Sequence, residues 1–109
     1  MATTYKVLGQ SNPSATTATT LYTTPAATQT IVSTITVCNQ AATAATYRIA
    51  VRVAGAALAA SQYVAYDVSL PGNASDTLTL GITLGAADVI TVYASTATMS
   101  FAAFGSELS

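Results

Sequence analysis

The sequence predicts an all-β chain, a single antiparallel β-sandwich of jelly-roll or immunoglobulin-like type built from about eight short strands. Apolar and polar residues alternate with period two through most of its length. The alternating residues are β-branched or aromatic, which suits a pleated surface. The runs are broken by Pro, Gly, Asn and Asp, with no interleaved helical pattern of the kind a parallel sheet requires. With 109 residues and 11.0 kDa, the expectation is one β-sandwich domain over 1–109 that includes an extended N-terminal segment.

The first strand candidates are "TYKVLG" from Thr4 and "TTLYTT" from Thr19, and Pro25 marks the connection that follows. In Gln29 to Cys38 the residues Ile31, Ser33, Ile35 and Val37 share one face, which is assigned to the core; Thr30, Val32, Thr34, Thr36 and Cys38 share the other. In "TYRIAVRV" the residues Tyr47, Ile49, Val51 and Val53 oppose Arg48, Ala50 and Arg52, a clean half-buried strand. "VAGAALAAS" reads as a loop or wide hairpin rather than a helix, because Gly55 and small residues lie between two strands. "QYVAYDVSL" places Val64, Tyr66, Val68 and Leu70 towards the core, and "DTLTLGITL" does the same with Leu78, Leu80, Ile82 and Leu84. "LPGNASD" is the strongest turn signal, and "LGAAD" and "STAT" read as hairpin connections. "DVITVYAS" and "TMSFAAFG" are apolar on both faces, as central strands are.

Composition narrows the function. Hydrophobic residues make up 51% of the chain and charged residues 6%, against about 25% charged in ordinary domains. Such a surface does little to discourage association, whereas in an assembly each missing charge is a desolvation cost avoided. Threonine keeps a strand face polar without an ion, so Thr-rich faces suit burial against other subunits. A net charge of -1, with Lys6, Arg48 and Arg52 dispersed, supplies no field for nucleic acid. Polar residues interrupt every apolar stretch before it reaches the length of a transmembrane helix, no aromatic girdles mark a membrane barrel, and "MATTYKVLGQ" has no signal-peptide pattern. No membrane partner is expected.

The residues that catalysis needs are largely missing. There is no histidine, one cysteine and one lysine, and the four carboxylates are dispersed, so no catalytic group, cofactor site or metal site is assigned. Asp76 and Asp88 read as turn residues that accept backbone hydrogen bonds. Cys38 reads as a small buried hydrophobe. One polar group stands out: Arg48 and Arg52 point the same way from one strand, and Tyr63 and Asp67 have matching parity on the next. If the two strands pair, an arginine meets Asp67. Arg48, Arg52, Tyr63 and Asp67 are therefore the candidate subunit contact. Most of the six tyrosines read as core or interface residues, although Tyr63 and Tyr93 also suit a glycan platform.

The runs "LYTTPAATQTIVSTITVCNQAATAATYRIAVRVAGAAL" and "DTLTLGITLGAADVITVYASTATMSFAAFGSELS", which cover most of the chain from Leu21, resemble small structural proteins of tailed bacteriophages, including cyanophages. The resemblance lies in the "LYT-P" turn, the strand ending "VCN", the strand leading into "AGAAL", the "LTLGITL" to "VYAS" segment and the closing "FGSE". It implies a non-enzymatic virion protein, either a decoration or cement protein on the outer capsid or a module of the tail, baseplate or fibre. The capsid is preferred because there is no coiled-coil heptad, shaft repeat or linker. The partners then implied are the major capsid protein and further copies of this chain, often as trimers. The resemblance brings no active-site residues.

Overall fold

The chain pairs with itself as one long hairpin, bent at residues 53–62 and then rolled into two layers. The computed structural model describes residues 2–109. Its strands are β1 (Thr3–Ser11), β2 (Thr19–Thr23), β3 (Gln29–Asn39), β4 (Ala45–Arg52), β5 (Tyr63–Leu70), β6 (Ser75–Leu78), β7 (Ile82–Leu84), β8 (Val89–Ala94) and β9 (Met99–Leu108). The antiparallel pairs β4–β5, β3–β6 with β3–β7, β2–β8 and β1–β9 nest around that bend. Rolling adds β3–β9 and β4–β8. The result is a first sheet ordered β1-β9-β3-β6, with β7 also on β3, facing a second sheet ordered β2-β8-β4-β5. This is the jelly-roll topology, which decides between the two sandwich types expected.

Several local expectations are corrected by this winding. The connections Leu84–Asp88 and Ser95–Thr98 pass from one sheet to the other and close no hairpin. "DTLTLGITL" is two short strands rather than one: Gly81 takes φ +63 and Leu80 turns outward at the break. The N-terminal segment forms β1 against β9, and the backbones of Ala2 and Ser109 bond each other at 2.6 and 3.0 Å. The loop read at 53–61 is confirmed and runs one residue further, with two single 3-10 turns, Val53–Gly55 and Ala60–Gln62. Strands β8 and β9 are central, as their two apolar faces require. No helix is long and apolar enough to cross a membrane among the described residues.

Between the sheets, Ile35, Val37, Phe101 and Met99 pack against Tyr47, Ile49, Ile90 and Val92. The Tyr47 and Phe101 rings meet edge to face at 6.1 Å. Alternation alone misplaces part of this core, because extra residues in the ladders reset it. In β3, Val32 faces Gly105 and Thr34 faces Phe104, leaving Ser33 unpaired. Thr30 and Val32 are therefore buried, while Ile31 and Ser33, expected inside, are exposed. Beyond this bulge Ile35 and Val37 point inward, so Cys38 points outward and is exposed rather than buried. Gly105 permits the bulge, since a Cβ there would clash with the Ile31 carbonyl oxygen. In β5, Ala65 faces Ile49 and Val68 faces Tyr47, so Tyr66 and Asp67 together oppose Arg48. Val64 and Tyr66 are accordingly exposed instead of buried.

Most polar side chains buried in the sandwich are partnered, Thr24 Oγ1 being left without a hydrogen bond. Asn39, fully buried, donates to the carbonyls of Thr43 (2.9 Å) and Leu70 (3.2 Å) and accepts from the Ala41 amide, tying two connections to the end of β3. Tyr22 donates its hydroxyl to Glu107 and lies 2.8 Å from Thr30 Oγ1. Tyr47 donates to Asp76 at 2.8 Å. Burial first, and the adjacent carboxylate second, push the Tyr22 phenol from 10.0 to about 12 and raise Tyr47 further.

Two outcomes follow from these contacts. Gly105→Ala should lower the unfolding free energy by about 1 to 3 kcal/mol in chemical denaturation, as forced overpacking does. The two phenols ionise near 10.0 when unfolded but not until about 12 or above when folded. In between, the unfolded chain holds fewer protons, so the stability these phenols confer is complete below pH 10 and lost as pH rises through 12. Urea midpoints should fall across that range, and Tyr22→Phe should flatten part of the decline.

Candidate interaction site

The inward parity of Tyr47 and Ile49 sends Arg48, Ala50 and Arg52 to the other side of β4, the outer face of the second sheet. There Arg48 lies beside Tyr93 of β8 in the ladder, while the β5 bulge supplies Tyr66 and Asp67. The guanidinium carbon is 4.2 Å from the centre of the Tyr66 ring and 4.3 Å from that of Tyr93. Both contacts are within cation-π range. Its Nε donates to Asp67 Oδ1 at 2.6 Å and Nη2 to Oδ2 at 3.3 Å, a two-point pair. This carboxylate pushes the guanidinium pKa up further, so it stays charged. Tyr63 meets Tyr66 edge to face at 4.9 Å.

The structure thus joins three of the four candidate residues, Arg48, Tyr63 and Asp67, and separates the fourth. Arg52 turns to the bend, where Nε donates to the Ala56 carbonyl at 2.7 Å and Nη2 to the Gly55 carbonyl at 3.0 Å. Asp88 meets the same bend, accepting from the amides of Ala54 and Gly85 at 2.8 Å, so its reading as a turn residue holds. Asp76 is instead the acceptor for Tyr47. Beside the cluster, Leu58, Ala59, Ala60, Tyr63 and Tyr66 line an open groove of about 560 Å³.

Sequence reasoning missed Tyr66 and Tyr93 as parts of the cluster. Unbroken alternation sent Tyr66 inward, yet the aspartate after it was a usable signal. Asp67 sits at φ 49, a left-handed conformation that Asp tolerates better than most residues, and an Asp amid a β-branched run marks such a site. Tyr93 is placed only by the β4–β8 pairing.

The arrangement presents a preorganised aromatic and cationic surface. It has no histidine to move protons near neutrality, and no group of three His, Cys, Asp or Glu is placed to hold a metal among the described residues. Comparison with protein-family models, curated proteins and solved structures gives no match.

Asp67 has two separable roles, bulge and ion pair. Asp67→Asn should keep the left-handed turn while losing the charge, whereas Asp67→Val should cost about 1 to 2 kcal/mol more for a β-branched residue in that conformation. Denaturation of the two variants measures the difference, and equal losses would refute the bulge role.

Proposed function

We propose that the protein is a non-enzymatic structural component of a tailed-phage virion, a capsid decoration or cement protein that binds the outer shell and stabilises contacts between capsomers. One observation carries this reading: every charged side chain is engaged within the chain itself. Lys6 pairs with Glu107, Arg48 with Asp67, Arg52 with loop carbonyls, Asp88 with loop amides and Asp76 with Tyr47. What remains for a partner is largely threonine, serine, alanine and apolar surface, which is buried at lower desolvation cost than unpaired ions. The resemblance from Leu21 onward supports the same class. Many copies would multiply a modest energy at each site.

The groove beside Tyr63 and Tyr66 favours a second reading, a tail or fibre module that stacks a host glycan on an aromatic ring. A cryo-EM reconstruction of the intact particle separates the two. The decoration reading expects copies in the hundreds bridging capsomers, and particles lacking the protein should lose integrity at lower temperature. A few copies on the tail, with saturable binding of host polysaccharide by the isolated protein, would replace it with the second reading.

A further inference from the structure

Among the described residues, the outer face of the first sheet bears no charged side chain. Lys6, Glu107 and Asp76 all lie on strands of this sheet, but each has the inward parity: Lys6 faces Gly105, which faces buried Val32; Glu107 faces buried Thr30; Asp76 faces buried Val37. Both arginines belong to the other sheet. The face is also graded in side-chain size. At one end, the bulges bring bulky residues together: Tyr5 and Ile31 flank Ser106 across three strands, and Val7 adjoins Phe104. Tyr5 is 84% exposed, Val7 and Ile31 49% each. At the other end Thr36, Cys38, Ser100 and Ala102, with Gln10, border a shallow depression of about 340 Å³.

We infer that this face is the self-association surface of the protein, and that its occupant is a second copy of the same chain, packed face to face about a twofold axis running across the strands. That axis reverses strand direction, so the bulky end of each copy lies over the small end of the other and the Tyr5 ring enters the partner's depression. A twofold contact must be self-complementary, and a gradient from large to small along one face is a form that satisfies it. A charged partner surface would bury its ions here without counter-ions, whereas the same uncharged face does not. The area is sufficient, since the molecule extends 45 by 27 Å and a standard interface takes about 800 Å² from each partner. Face-to-face sheets pack about 10 Å apart with interdigitated side chains, which matches ridges entering a depression. The inference concerns the isolated chain and stands independently of any place in a virion; the Arg48 cluster, on the opposite face, stays free for another partner.

Light scattering coupled to size exclusion on the purified chain is the test. The expected mass is twice 11.0 kDa at concentrations of about 100 µM, in the range of a micromolar Kd. Ile31→Lys, at an exposed position, and Ala102→Arg, at the receiving end, should each reduce the mass to that of one chain while keeping the circular dichroism of the parent, and Arg48→Glu should leave the dimer intact. Orientation is read with Tyr5→Cys and a short bis-maleimide, which should link it to Cys38 of the second copy and trap a covalent dimer that the parent, carrying Cys38 alone, does not give. A monomeric parent, a higher oligomer, a dimer unmoved by both face substitutions, or one dissolved by Arg48→Glu would overturn the inference.

Discussion

Alternation along each strand is the constraint on which the position of every side chain here depends, and the chain breaks it at chosen places. Extra residues at Leu8, Leu21, Ser33, Val64 and around Asp67 shift the ladders by one. Each shift exchanges the two faces as far as the next shift or the end of the strand. Leu8 is thereby turned into the core, Ile31 is turned out towards Tyr5, and Tyr66 is brought over the Arg48 guanidinium. The two outer faces differ in character because of these insertions, one aromatic and cationic and the other neutral and graded in size.

The same insertions explain how far the sequence was legible. Period-two alternation sufficed for the fold class, and for the inward face of β4 from Tyr47 to Val51 because that strand itself inserts no extra residue opposite β8; Val53, expected on the same face, lies past the strand end and is exposed. The apolar character of both faces of "DVITVYAS" and "TMSFAAFG" located the central strands. The Arg48–Asp67 pair was legible from parity within one local hairpin. Bulges were not, because a bulge is a relation between two strands: Ser33 is unpaired only with respect to Gly105 and Phe104, some seventy positions away. Turn residues likewise mark where the chain reverses but carry no information on which sheet it enters next, so two crossings resembled hairpins. Tyr93 and the groove beside Tyr63 depend on the same non-local assembly.

Charge is handled by different means inside and outside. Within the sandwich, Asp76 accepts from a phenol that brings no charge of its own, and Glu107 divides its two oxygens between the Tyr22 phenol and the Lys6 ammonium at the sheet edge. Outside, Arg48 is enclosed by two rings and one carboxylate, which fixes the guanidinium plane and leaves little of its charge seeking a counter-ion. Both solutions use tyrosine, whose ring packs as a hydrophobe while its hydroxyl or π-face meets the ion. A chain with 6% charged residues and six tyrosines is consistent with that chemistry.

The nested pairing also sets an order on folding. Only β4 and β5 are joined by a local bend, and each further pair encloses a longer loop, out to Thr3 opposite Leu108. Contact order is therefore high, and slow folding from the middle outward is the kinetic corollary. During synthesis β1 is the first strand made and the last to find its partner, since β9 is the last to be made. For that interval "TYKVLG" is an unpaired, β-prone segment, and Lys6 is the single charge on it. A lysine there discourages edge pairing with other nascent chains until Glu107 arrives to meet it.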